Sequence, residues 1–311
     1  MKVFIKNNLK VLIAFIAGGV IFGTSVYAAY KYQASEVGYT PSNSNFKVDS
    51  VEQAINELYD SMSGPTYIDT SGSGSTYKGI IYLDPTNLKK KCTLVDVNAN
   101  YKENGTKDVN NNIIPTGIKT GCMKWYIFND SGNNYTMILD HNTTAAQRWS
   151  SQDGWSSTDS GPTTPYSSSL AKVEVDKLVS EFGWIVQPRL ITVDEVNTIT
   201  GKTNFDSNNY TYNYCLDDPQ TYMYAKQCPS FTGAHSWLYD YTRDCVSRAC
   251  NVADDSTYGY FTSNVFSYQG SGGYYHKIWS IWYFGQLIYE EPHTERTGIR
   301  PVITISKSVI K

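Results

Sequence analysis

The chain has 311 residues, 26 basic and 29 acidic, and a formal net charge of −3. Residues 1–31 hold four of the lysines and no acid, so the 280 residues that follow carry 22 basic against 29 acidic side chains. That balance argues against nucleic acid as a partner, and the length suits one sizeable core or two small domains.

From Val11 to Tyr30 no charge interrupts the chain, a length that matches the ~20 residues a helix needs to cross a bilayer. Lys2, Lys6 and Lys10 precede this run and no acid occurs before Glu36. The positive-inside bias then keeps the N-terminus cytoplasmic and sends the rest outside. Val26-Tyr27-Ala28 offers a small-residue cut before Ala29. The run is longer than a signal-peptide core and reads as a retained single-pass anchor in the cell membrane, with secretion after cleavage as the alternative.

Tyr39-Thr40-Pro41-Ser42 reads as extended chain. Ser50 with Gln53 resembles a capping box, and Val51, Ala54, Ile55 and Leu58 recur at helical spacing, which predicts an amphipathic helix over 51–59. Too short to stand alone in water, it docks either on the globular domain or on copies of itself through Val51, Ile55 and Leu58. Ser61 to Tyr77, with Ser71-Gly72-Ser73-Gly74-Ser75, reads as a flexible linker. The expected division is an anchor (1–31), an extended stretch plus helix (32–62), a linker (63–77) and an extracellular domain (78–311).

Within that domain Gly79–Leu83 and Cys92–Val95 carry strand signals, and Lys124–Phe128 and Tyr135–Asp140 flank the turn-rich 129–134 as a hairpin. A Ser/Thr/Pro-rich loop covers 156–169. Helices are predicted at Leu170–Val179 and Thr192–Ile199, the second with Thr192 as N-cap, Glu195 three residues on and Gly201 as its stop. The remainder, from Thr203, is aromatic, turn-rich and strand-like. The class is α+β, with a mostly antiparallel sheet and two main helices.

All six cysteines, Cys92, Cys122, Cys215, Cys228, Cys245 and Cys250, lie beyond the hydrophobic run. Their even number suits disulfides in an oxidising compartment. Fifteen connectivities are open, and pairing of sequence neighbours is the expected one: Cys92 with Cys122, Cys215 with Cys228, Cys245 with Cys250. No C-x-x-C spacing calls for zinc.

Arg189-Leu190-Ile191-Thr192-Val193-Asp194-Glu195-Val196 resembles the R-L-P-T-x-x-E-W helix start of domains related to the formylglycine-generating enzyme, a branch of the C-type lectin-like fold, with Ile191 in place of proline and Val196 in place of tryptophan. Gly259-Tyr260-Phe261-Thr262-Ser263 resembles the W-T-S strand of that fold, and Gly298-Ile299-Arg300-Pro301-Val302-Ile303-Thr304-Ile305 its terminal strand. Together with Ala34–Ser42 and the 51–59 helix, these segments resemble an uncharacterised family of exported Gram-positive bacterial proteins. The resemblance implies an architecture with Arg189, Glu195 and Arg300 in structural roles. It implies no oxidase activity, because the enzymes of this fold use a cysteine late in the domain and none follows Cys250. Independently, Ile299, Val302, Ile303 and Ile305 read as a buried strand, Pro301 as an edge or strand start, and Arg300 as a group that needs a carboxylate or carbonyl partner.

For chemistry, His141, His235, His276 and His293 are scattered, and neither H-E-x-x-H nor G-x-S-x-G occurs. Asp140-His141 reads as a turn pair whose side chains diverge. Asp96-x-Asn98-x-Asn100 imitates the opening of a calcium loop but meets Tyr101 and Lys107 where glycine and glutamate are needed. Asp254-Asp255, Glu290-Glu291 and Glu295 leave calcium elsewhere open; no other cofactor is expected. The strongest signal is aromatic: Trp237, Tyr239, Tyr274, Tyr275, Trp279, Trp282 and Tyr283 supply flat rings suited to sugar or peptide faces, against a competing role as core. The expected function is a non-catalytic, surface-displayed module that binds extracellular glycan or protein. A component of a surface appendage and an exported hydrolase are the alternatives.

Overall fold

In a computed structural model of the protein, the described residues are 50, 51, 55, 64–71, 75–107, 111–151, 155–157, 164–203, 205–209, 213–222, 228, 233–239 and 259–310. The expected anchor, its cleavage site, the extended 39–42 stretch, most of the 51–59 helix, Asp254-Asp255 and the pair Cys245 and Cys250 lie outside them. Val51 and Ile55 are helical, and Ile55 is exposed. Among the described residues no helix is long and apolar enough to cross a membrane. The chain divides into two units, Met1–Ser63 and Gly64–Lys311.

Among its described residues the second unit is α+β, with mostly antiparallel sheets and three α-helices. A five-stranded sheet runs in the order β1 (Thr66–Asp69), β2 (Gly79–Leu83), β5 (Met123–Ser131), β6 (Asn134–Leu139), β15 (Val302–Ser306). A larger one runs β10 (Asp218–Tyr222), β9 (Asn213–Cys215), β13 (Gln286–Glu290), β12 (Gly273–Trp282), β11 (Gly259–Gly270), β14 (Thr297–Ile299), β7 (Thr144–Gln147), with β8 (Trp155–Ser156) beside β12. β3 (Thr106–Lys107) and β4 (Ile113–Ile114) make a small ribbon.

The unit therefore begins earlier than the Gly/Ser composition predicts. Thr66-Tyr67-Ile68 has the β-branched and aromatic side chains of a strand and pairs with Ile80–Tyr82 at the sheet edge. The 124–140 hairpin forms, and its strands run on to Ser131 and Asn134, leaving only Gly132-Asn133 as the turn. Gly132 takes φ 56°, the sign a two-residue hairpin turn needs at its first central position.

One expected strand is a helix. Thr93 caps α1 (Leu94–Asn104) through a full capping box with Asp96, so local side-chain hydrogen bonding overrides the β-leaning Thr-Leu-Val composition. The same geometry spends the Asp96 carboxylate on the Thr93 N–H and hydroxyl at 2.7 and 2.6 Å, which removes the calcium-loop reading. These two bonds hold its carboxyl below the usual carboxylate range. α2 (Leu170–Ser180) and α3 (Val193–Thr200) stand where periodicity placed them, capped by Ser169 and Thr192. Gly201 closes α3 at φ 71°.

The chief core takes Tyr126, Ile138 and Val302 from the smaller sheet, Tyr260, Trp279, Ile281 and Leu287 from the larger one, and Val193 and Val196 from α3. A second cluster, with Trp125, Met137 and Ile303, covers the other face of the smaller sheet and receives Leu178 and Trp184. On the other face of the larger sheet Phe261, Ile278 and Ile299 meet Trp149, Ala171 and Val175. β12 is thus buried on both faces along its middle, which is why Ile278, Trp279 and Ile281 follow one another without polar alternation there.

Cys92 is bonded to Cys122 and Cys215 to Cys228, as pairing of neighbours anticipates. Arg189 pairs through its backbone with Val302 at 2.9 and 2.7 Å and through its guanidinium with both oxygens of Glu195 at 2.8 and 2.5 Å. Glu195 also accepts from the Thr192 N–H at 2.9 Å. One carboxylate therefore caps α3 and ties the preceding strand-like segment to it.

Candidate functional site

The aromatic residues singled out by sequence separate into three places. Trp237, Tyr239 and Trp279 are 3%, 2% and 0% exposed and belong to the chief core. Their polar atoms are spent inside the protein: the Trp237 Nε1–H on Thr76, the Tyr239 hydroxyl on Asp217, the Trp279 Nε1–H on the Ser207 carbonyl. They present no face to a ligand. Rings of this size are drawn into the core because each buries so much apolar area.

Tyr274 and Tyr275 lie at the far end of β12, next to the turn that joins it to β11, half-buried and paired with Ser156 and Trp155 of β8. Tyr275 stacks on Tyr268 with centroids 5.1 Å apart, and Trp155 is 52% exposed. Trp282 and Tyr283 lie at the opposite end of β12, with Phe284 between them and the next strand. A ten-residue strand places the two groups about 30 Å apart, so the run that is continuous in sequence is not one surface.

Around Trp282 the rings meet polar groups. The ring is half-buried, sits edge-on to Phe284 at 5.1 Å and donates its Nε1–H to Glu290 Oε1. The register puts Ile278 opposite Glu290, Ser280 opposite Ile288 and Trp282 opposite Gln286, so these side chains share one face of the larger sheet. Burial pushes the Glu290 carboxyl up to about 7, against the opposing effects of the Trp282 hydrogen bond and the Arg296 and Lys277 charges.

Since the ordinary value is 4.5, the folded state holds this proton more tightly than the unfolded chain does. Its stabilising contribution is complete below about pH 4.5 and is lost as pH climbs to about 7. Thermal melts between pH 4.5 and 8 should show that fall for the native chain, and Glu290→Gln should flatten it.

Glu291, the neighbour of Glu290, points the other way and pairs with Lys277. The Lys277 ammonium lies 5.9 and 5.8 Å from the Tyr275 and Tyr289 ring centres, and burial lowers its pKa. Glu295 pairs with Arg148 at 2.7 Å. Glu290 and Glu291 therefore lie on opposite faces, and Glu295 is engaged by Arg148. Among the described residues no group of three His, Cys, Asp or Glu side chains could hold a metal ion.

Two pairs escaped the sequence. Asp140 and His141 do not diverge: they follow the last residue of β6, where strand alternation has ended, and His141 Nδ1 lies 2.5 Å from Asp140 Oδ1. The Tyr101 hydroxyl donates to the same carboxylate at 2.6 Å, and His141 Nε2 donates to the Ile118 carbonyl at 2.9 Å. With His141 fully buried, this is a clamp that ties α1 to β6. Ser267 and His276 face each other across β11 and β12, with Oγ 2.6 Å from Nδ1. Only the hairpin register brings those two together. No family model, curated protein or solved structure matches the chain.

Proposed function

We propose that the chain is a membrane-anchored, non-catalytic binding protein displayed on the outside of the cell. In this reading its domain has the C-type lectin-like fold, and the outer face of the larger sheet at Trp282 takes an extracellular glycan or protein. The observation that carries it is the half-buried Trp282 ring held in place by Glu290 at the end of a strand whose other tryptophan, Trp279, is core. A ring fixed by a hydrogen bond offers flat contact area without an entropic cost on binding. The charged Lys10 flank, the apolar 11–30 run and the paired cysteines support display in an oxidising compartment.

The test is a glycan and peptide array probed with the native chain and with Trp282→Ala. Binding is expected, with a loss of at least about tenfold in the variant, since a stacked ring is worth about 1.5 kcal/mol. An array without signal, or a variant that binds like the native chain, overturns the reading.

A further inference from the structure

Ser267 and His276 stand directly opposite each other across β11 and β12, and they differ in access to solvent. Ser267 is exposed, whereas His276 is 3% exposed. The Ser267 Oγ lies 2.6 Å from His276 Nδ1. That separation is short for a ring N–H donating to oxygen, about 2.7–3.2 Å, and ordinary for a hydroxyl donor, about 2.5–3.0 Å. The hydroxyl therefore donates, and Nδ1 presents the lone pair that a proton acceptor needs. A serine whose one task was to satisfy a buried ring nitrogen would be shielded with it; Ser267 is instead the open end of the pair. The register is unbroken from Val265 to Gly270, so Ser267 shares its face with Gln269 and with Tyr274 opposite Gln269. Lys277 points to the other face and is paired with Glu291, and Glu290, one row along on the same face, is engaged by Trp282.

We propose that Ser267 is a nucleophile with His276 as its base, and that it takes the acyl group of an uncharged activated ester and keeps it. A hydroxyl within hydrogen-bond reach of an imidazole nitrogen is the arrangement that makes serine reactive. Oγ attacks the carbonyl carbon while its proton passes to His276 Nδ1. The Oγ–C bond forms as the bond to the leaving oxygen breaks, and the same proton then goes to that oxygen, which departs as an alcohol or phenol. Gln269 and Tyr274 put an amide and a hydroxyl on the face where the carbonyl oxygen becomes anionic, donors of the kind that stabilise it. Hydrolysis of the new ester would need water at Nδ1, and a ring so buried gives water poor access. The outcome is one acylated chain without turnover. Ser267 lies about 20 Å along β12 from Trp282, so this covalent site is separate from reversible recognition there.

The test treats the full chain with p-nitrophenyl acetate and locates acetyl groups by peptide mass mapping. It is run on the native chain, folded and in urea, and on Ser267→Ala and His276→Gln, each checked for its fold by a thermal melt. Ser267 of the folded native chain is expected to be acetylated at least about a hundredfold faster than in urea, the smallest gain typical of a positioned base. His276→Gln should lose the same factor, because glutamine offers the hydroxyl a hydrogen-bond partner but no base. Ser267→Ala should release p-nitrophenol only at the background rate of the remaining side chains. Absence of acetyl from Ser267, or equal rates folded and in urea, overturns the proposal. An unchanged rate in a folded His276→Gln overturns it as well. Should that variant fail to fold, the comparison with urea decides alone.

Discussion

Arg300→Met is expected to cost the domain about 3–5 kcal/mol, the range for breaking a buried charged network. The guanidinium is fully buried. It donates to three backbone carbonyls, Leu139 and Leu238 at 2.5 Å each and Trp237 at 2.7 Å, and lies 5.2 Å from the Tyr260 ring centre. The Tyr260 hydroxyl donates to the same Leu238 carbonyl at 2.8 Å.

Arg300 sits where the chain leaves β14 of the larger sheet for β15 of the smaller one, so its three bonds fasten the end of β6, the crossover and the 236–238 turn to one another. Methionine fills similar space but takes the guanidinium from the Leu139 and Trp237 carbonyls and leaves the Leu238 carbonyl with the Tyr260 hydroxyl alone. Urea unfolding followed by tryptophan fluorescence should show the lower midpoint at an unchanged slope. An unfolding free energy within about 0.5 kcal/mol of the native one would mean that water meets these carbonyls as well as the guanidinium does. Arg300→Lys should fall between, since an ammonium cannot reach three carbonyls spread around a planar fork.

Opening the Cys92–Cys122 bond ranks next. It closes a loop of 30 residues, and chain entropy assigns such a loop about 3–4 kcal/mol. The bond pins the segment that carries α1 to the start of β5, with Cys92, Val97 and Cys122 packed beside Tyr82. The double variant Cys92→Ser/Cys122→Ser is expected to melt about 6–15 °C below the native chain. The clamp of Tyr101, Asp140 and His141 holds the C-terminal half of α1 independently of the sulfur bond. Amide exchange in the variant should therefore rise at 90–97 more than at 100–104, and uniform loss of protection would contradict that division. Burial and the Asp140 charge hold the Tyr101 hydroxyl well above its ordinary pKa, so the clamp survives into alkaline solution.

Much of the fold was legible in local chemistry. α3 follows from Thr192, Glu195 and Gly201, and α2 from the spacing of Ala171, Val175 and Leu178 after Ser169, because caps and stripes act within one or two helical turns. The hairpin of β5 and β6 follows from alternation around Gly132. α1 differs from the strand that Leu94 and Val95 suggest because Thr93-x-x-Asp96, the same cap spacing as Thr192-x-x-Glu195, is the stronger local signal.

The site was far less legible. Tyr274 through Phe284 is one aromatic run in sequence, yet β12 turns its members to alternate faces and parts its two ends, and core demand takes Trp279. Glu290 owes its raised pKa to burial beside Trp282, eight residues away. Ser267 and His276 have nothing unusual in sequence; they become a pair only when β11 and β12 meet in one register.

The sequence by itself thus determined the cap and stop of α3, the hairpin and the α+β class. Each is set by neighbours within a few residues, whereas the number of cysteines pointed to disulfides and left their connectivity open. Tertiary structure alone decided which rings are core and where Arg300 finds its carbonyls. Those depend on contacts between residues tens to more than a hundred positions apart, and no local pattern encodes them.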